Sequence, residues 1–275
     1  MASVGGPAQI IARFGSQTIL CNPYAMTKLG VDKSHCFLKI DDYLILCVPY
    51  QLGFKKSLFL ASLTLHEMAF FRKYIGGNVG LSISFIPKNS KSQEPVKFFI
   101  RCNLIGINPL KGRENTGLFD LDYKTTPDDL VSMFGGFLDN QEVVKAQYEE
   151  YGKSGIKMTP DIAKMLGYNM FASISEPNVE PKRIQVYLIS SKNIEHLEAA
   201  GGKIRVPGST VTYQLFFKKY RITVIGVIQS CSELPNKLIR TVAKLAFSPE
   251  LVEIIDDYWY TTRSSQGMAA VTAVK

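Results

Sequence analysis

The sequence predicts a mainly β protein with a helical connector, built as two small antiparallel β-barrel domains. Three observations carry this. Short β-type runs separated by turn residues fill positions 17–123, a helix-type segment opens near Thr126, and β-type runs return from Ile184 to Phe247. The expected boundaries are an N-terminal barrel over 10–125, a helical connector over 126–168, a second barrel over 169–263 and a flexible tail over 264–275.

In the first half the runs are Cys36–Ile40, Leu44–Val48, Leu58–Leu63, Val79–Phe85, Phe98–Ile107 and Gly117–Tyr123. Several alternate: Leu81, Ile83 and Phe85 share one face, while Ser82 and Ser84 take the other. One face therefore packs inward and the other meets water. The polar, proline-bounded stretch Pro87–Pro95 reads as an exposed hairpin connection.

The character changes at Thr126, which can cap a helix. Pro127 suits the first turn because its missing N–H would have no partner there, and Asp128 and Asp129 complement the positive helix end. Leu130, Phe134, Phe137 and Leu138 recur at helical spacing, with Gly135 and Gly136 weakening the middle. A second amphipathic stretch, Glu142–Tyr151, follows. After the GKSGIKMT loop, Pro160–Leu166 reads as a short helix closed by Gly167.

The second β region contains Ile184–Ile189, Val211–Phe217, Arg221–Gln229 and Ile239–Phe247, with turns at Gly201-Gly202, Pro207-Gly208 and SELPNK. A short helix over Leu251–Tyr260 would pack Ile254, Ile255, Tyr258 and Trp259 on a barrel, with fraying expected after Arg263.

Composition narrows the function classes. No run of eighteen apolar residues occurs, and the opening MASVGGPAQIIARFG lacks the pattern of a signal peptide, so a cytoplasmic, not membrane-spanning protein is expected. Five cysteines, Cys21, Cys36, Cys47, Cys102 and Cys231, have no close pairing and read as reduced, buried thiols. The net charge of +8 favours an anionic partner without naming one.

Three segments together resemble a known family. They are YKTTPDDLVSMFGGFL (Tyr123–Leu138), MLGY (Met165–Tyr168) and DDYWYTTR (Asp256–Arg263). In order and spacing they resemble spirochaetal PilZ proteins, in which a PilZ-like N-terminal barrel precedes a C-terminal PilZ barrel. The resemblance implies cyclic di-GMP binding through an Arg-x-x-x-Arg element before the barrel and an Asp-x-Ser-x-x-Gly element on an early barrel strand. Planar, multi-donor arginines suit phosphates and guanine edges, and glycine permits close backbone approach.

This sequence departs from both elements. The arginine element aligns with YEEYGKSGIK (Tyr148–Lys157), where Lys153 and Lys157 provide the only positive charge. On the strand, Tyr187, Ile189 and Lys192 stand at the Asp, Ser and Gly positions. Glu149 and Glu150 add negative charge that opposes a dianionic ligand. The expectation is loss of the usual cyclic di-GMP binding, with Lys153, Lys157, Lys182 and Arg183 as the residues of a residual anion site.

Other chemistry is sparse. His35, His66 and His196 are far apart with no helix-spaced ligand partner, so no metal is expected. His66 reads as a polar position at a strand end or on a helix face, and His196 beside Glu195 and Glu198 as solvated surface. Ser154 in GKSG lacks the glycine spacing and preceding strand of a phosphate loop. Basic and aromatic residues interleave at Lys218–Arg221 and around Phe70–Tyr74, but KKYR reads as a hairpin turn, and nucleic acid is not favoured.

The sequence therefore predicts a non-enzymatic signalling or adaptor protein that works through a protein partner, in a motility or envelope-related pathway, with no cofactor. The alternative is a receptor for cyclic di-GMP or another anion through an altered basic site at the junction of connector and second barrel.

Overall fold

The structure is a computed structural model that describes residues 5–86, 94–177, 179–199 and 204–272, with side chains through Thr262. The expected connection at 87–95 and the Gly201-Gly202 turn fall largely or wholly outside the described residues. The chain divides into two compact units, Met1–Asn140 and Gln141–Lys275.

Three short helices that the β reading did not anticipate belong to the first unit: α1 (Pro7–Phe14), α2 (Pro23–Leu29) and α3 (Leu65–Phe71). Local chemistry explains two of them. The Asn22 side chain accepts from the Ala25 N–H at 2.8 Å, Pro23 lies in the first turn, and Gly30 ends α2 at φ +71°. At α3, Thr64 and Glu67 form a reciprocal capping box, which places His66 on an exposed helix face.

The remaining elements of this unit are β1 (Thr18–Leu20), β2 (Phe37–Ile40), β3 (Tyr43–Leu46), β4 (Val48–Gly53), β5 (Lys56–Ser62), β6 (Asn78–Phe85), β7 (Val96–Leu110) and β8 (Arg113–Tyr123). They form one antiparallel sheet in the order β1-β4-β5-β8-β7-β6-β2-β3. Leu81, Ile83 and Phe85 are buried as their alternation requires, and they join a core with Phe59, Phe119 and Phe134.

Helix α4 (Asp128–Tyr151) is continuous where the sequence suggested two stretches. Its early residues Leu130, Val131, Phe134 and Leu138 belong to the first core, and Val144 and Tyr151 to the second. The hydroxyl of Thr126, the expected cap, donates to the Phe54 carbonyl, and the helix begins two residues later at Asp128. Gly135 sits where a Cβ would lie 2.5 Å from Ile10 Cγ2, so the residue that weakens helix propensity permits the approach of α1.

The second unit contains β9 (Ile156–Lys157), α5 (Pro160–Leu166), β10 (Tyr168–Ser175), β11 (Lys182–Ile189), β12 (Asn193–Glu198), β13 (Thr210–Phe217), β14 (Arg221–Glu233), β15 (Ile239–Leu245) and α6 (Pro249–Thr272). Six strands pair in the order β10-β13-β14-β15-β12-β11, and β11 returns to β10, which closes an antiparallel barrel. Closure removes the free edges that an open sheet would present. Gly167 caps α5 at φ +65°, and KKYR forms the β13–β14 turn, both as the sequence predicts. Helix α6 extends beyond the expected Leu251–Tyr260 and packs Leu251, Val252, Ile254 and Ile255 into the barrel core.

Candidate functional site

The residues aligned with a ligand motif lie on β11, on the β11–β12 turn and in the segment after α4. After Tyr151 the chain turns through Gly152–Gly155 and becomes β9, which ladders antiparallel onto β11 with Ile156 opposite Ile189 and Lys157 opposite Leu188. The Met158 N–H donates to the Tyr187 carbonyl at 2.8 Å. Gly155 makes the approach possible, since a Cβ there would lie 2.2 Å from Leu188 Cδ2.

The turn between β11 and β12 is tied to the same helix end. Ser190 Oγ accepts from the Asn193 N–H at 2.9 Å, and Ser191 Oγ donates to the Tyr148 carbonyl at 2.7 Å. Lys192 pairs with Glu149, and its ammonium lies 5.2 Å from the Tyr148 ring centroid. Lys192 therefore neutralises one of the two glutamates expected to repel an anion.

The three motif positions have different surroundings. Ile189 is buried in the barrel core, Tyr187 is 39% exposed, and Lys192 is half-buried in its ion pair. Lys157 is exposed with its ammonium 5.4 Å from the Tyr187 ring centroid, and Lys153 is exposed on the preceding turn. Lys182 and Arg183 are exposed at the opposite end of β11, where the Arg183 guanidinium lies 5.6 Å from the Phe171 centroid. At about 3.3 Å per residue, Arg183 and the partner position of Lys157 are roughly 16 Å apart along the strand. The four cations do not converge on one point.

The sequence reading missed a polar cluster inside the barrel, and the expectation that His196 and Glu198 are solvated is overturned. His196 is fully buried on β12, and its Nε2 hydrogen-bonds the Tyr213 hydroxyl at 3.1 Å, reaching across the barrel to β13. Glu198 is likewise buried and receives both guanidinium branches of Arg205, whose Nε reaches Glu176 Oε1 at 3.0 Å. Glu195, also expected at the surface, is buried and forks with Arg240 at 2.7 and 3.0 Å. The signal was present: Ile194, His196 and Glu198 fall on one face at period two, with polar residues in place of apolar ones.

Electrostatics argue against chemistry at these groups. Burial, reinforced by the Arg205 charge, pushes His196 down to about 3, so the ring is neutral near pH 7. The cysteines are free thiols, and burial pushes Cys21 and Cys102 up to about 12, so neither supplies a thiolate nucleophile. Among the described residues, no helix is long and apolar enough to cross a membrane, and no group of three metal-ligating side chains converges.

Residues 8–141 match the PilZN3 domain. No curated protein matches the chain. Several solved structures are similar to it. PlzA of Borreliella burgdorferi, in complex with c-di-GMP, has 15% identity over 92% of this chain and 97% of its own, with a TM-score of 0.44. YcgR of Escherichia coli, also with c-di-GMP, has 10% identity over 97% and 95%, with a TM-score of 0.31. MotI/DgrA of Bacillus subtilis, an inhibitor of motility, has 14% identity over 86% and 99%, with a TM-score of 0.28. The match over residues 8–141 covers nearly the whole of the first unit, which is thus similar to a PilZN3 domain.

Proposed function

We propose that this protein is a non-enzymatic, cytoplasmic PilZ-family adaptor that has lost the usual c-di-GMP site and acts through contact with a protein partner. One observation supports the reading: the segments that the sequence aligns with the family's ligand elements are engaged by the chain's own structure. Strand β9 is laddered onto β11 beside Leu188 and Ile189, Ile189 points into the core, and Lys192 is engaged by Glu149. Opening this surface for a nucleotide requires breaking a strand pairing and an ion pair, with no arginine in Tyr148–Lys157 to compensate.

The alternative, an anion receptor built on Lys153, Lys157, Lys182 and Arg183, rests on their exposure and on cation–π contacts at Tyr187 and Phe171. Their separation along β11 weighs against it. Calorimetric titration of the full chain with c-di-GMP tests both readings. The adaptor reading expects no saturable heat and no rise in melting temperature at about 100 μM ligand, whereas a receptor is stabilised in proportion to the logarithm of ligand over Kd. Low-micromolar affinity refutes the adaptor reading.

A further inference from the structure

We propose that the outer wall of the second barrel, across β9, β11, β10, β13 and β14, binds single-stranded nucleic acid. Three cation and aromatic pairs line this wall. Lys157 on β9 meets Tyr187 on β11, Arg183 on β11 meets Phe171 on β10, and Arg221 on β14 meets Phe216 on β13, at 5.4, 5.6 and 5.0 Å from the ring centroids. The Phe171 and Phe216 rings meet edge to face at 5.0 Å, which links the last two pairs. A single strand alternates flat bases with phosphates, and such pairs set a stacking surface beside each positive charge. Each pair joins two different strands, so the row is invisible in the sequence.

The backbone of β10 is shaped to present one of these rings. Its register against β13 shifts between Tyr168 and Ala172, Met170 within the shift adopts φ +60°, and the Asn169 side chain accepts from the Phe171 N–H at 3.1 Å. Phe171 is thereby left 40% exposed. A bulge that holds a non-glycine residue at positive φ and turns an apolar ring towards water costs stability, so packing alone does not account for it.

Charge and spacing specify the ligand further. Strands β9, β10, β11 and β13 contain no acidic residue, and β14 has none before Glu233, at the end remote from Arg221. On the neighbouring β12, Glu195 is forked by Arg240. At the β13–β14 turn Glu253 and Asp257 face Lys219, and Lys182 is left out of the site because it shares a small cavity with Glu176, Glu180 and Arg205. Arg183 and Tyr187 lie roughly 13 Å apart along β11, and Arg183 and Arg221 roughly 14 Å apart across three strand spacings. The separation that weighs against a compact anion suits an extended strand of about four nucleotides or more. Gln214, which accepts from Arg221 at 3.3 Å, and its cross-strand neighbour Thr223 add polar groups for base edges.

This surface goes beyond the adaptor reading and stands apart from it, since failure to bind a strand leaves the absence of c-di-GMP binding intact. The test titrates the full chain into a fluorescein-labelled thymidine dodecamer and a uridine dodecamer, followed by fluorescence polarisation. Saturable binding is expected at about 50 mM salt, with log Kd rising against log salt at a slope of about 2 for three phosphates engaged. A difference between the two oligomers assigns the strand as DNA or RNA. Phe171→Ser, and Arg183→Gln combined with Arg221→Gln, should each weaken binding about fivefold or more, whereas Lys39→Gln with Lys97→Gln in the first unit should leave it unchanged. An abasic dodecamer of equal charge should bind about tenfold more weakly than the thymidine one, a comparison that leaves the protein unaltered. The proposal is overturned if no saturation occurs by about 100 μM, if the abasic oligomer binds as the thymidine one does, or if the wall variants bind as the parent does.

Discussion

Lys192, on the turn between β11 and β12, forms an ion pair with Glu149 near the end of α4, and its alkyl stem lies where any side chain on Gly152 would collide with it. Lys192, which the sequence alignment sets at a glycine position, thus joins the helix end to the barrel turn. Because Glu149 is 66% exposed, the pair itself contributes little. Lys192→Ala is expected to change unfolding free energy by less than about 1 kcal/mol in urea titrations and to leave the protein without c-di-GMP binding.

Ile189 is a stronger structural commitment. It is 1% exposed and packs in the barrel core, so Ile189→Ser removes packed carbon and buries a hydroxyl. A loss of about 2–4 kcal/mol is expected, read as a lower urea midpoint at unchanged slope. A loss below about 0.5 kcal/mol indicates that β11 is not held as described.

The buried Arg205 and Glu198 pair is expected to be costly to break and cheap to replace. Glu198→Met leaves a guanidinium inside the barrel with only Glu176 for charge compensation, and about 3–5 kcal/mol of stability should be lost. Adding Arg205→Met should return most of it, since an apolar pair needs no desolvation. Differential scanning calorimetry of the two single variants and the double variant measures the coupling.

His196 gives the molecule a definite acid sensitivity. Its folded pKa of about 3 lies below the ordinary 6.5, so the unfolded chain binds the proton first. Stability from this residue is complete above about pH 6.5 and is lost as pH falls towards 3, at up to about 1.4 kcal/mol per pH unit. Tyr213, Glu198 and Arg205 face the ring and are retained in His196→Gln. That variant should show a flatter decline between pH 6 and 4 than the parent, measured as paired urea midpoints; identical slopes would falsify the assignment.

Gly226 tests the packing of Tyr213. A Cβ at Gly226 would lie 2.5 Å from Tyr213 Cε2, deep in the barrel, whereas one at Gly117 would lie 3.2 Å from Leu63 Cδ1. Gly226→Ala should destabilise by about 1–3 kcal/mol, and Gly117→Ala by clearly less, in thermal melts run side by side.

Much of the fold was legible because local chemistry and burial agreed. The Leu81, Ile83 and Phe85 face, the Gly167 cap and the KKYR turn could be read directly from the chain. Helices α1 to α3 were missed although Asn22-Pro23 and Thr64…Glu67 announce two of them, because short apolar runs suit helix and strand alike. β12 was missed because NIEHLE looks solvated, a reading that holds only if no partner enters the barrel.

By itself the sequence determined two β units, a helical joint between them, and the absence of arginine from Tyr148–Lys157 and of an Asp-x-Ser-x-x-Gly pattern from Arg183–Leu197. Only the tertiary structure decided that β9 ladders onto β11 and Lys192 pairs with Glu149, that His196 and Glu198 turn inward, and that β3 is left with a free apolar edge. The physical reason is common to all three. Whether a polar side chain is buried, or a strand edge paired, depends on groups outside the element itself: Arg205 and Tyr213 for the barrel interior, and the end of the β4–β5 ladder at Leu60 for the free edge of β3.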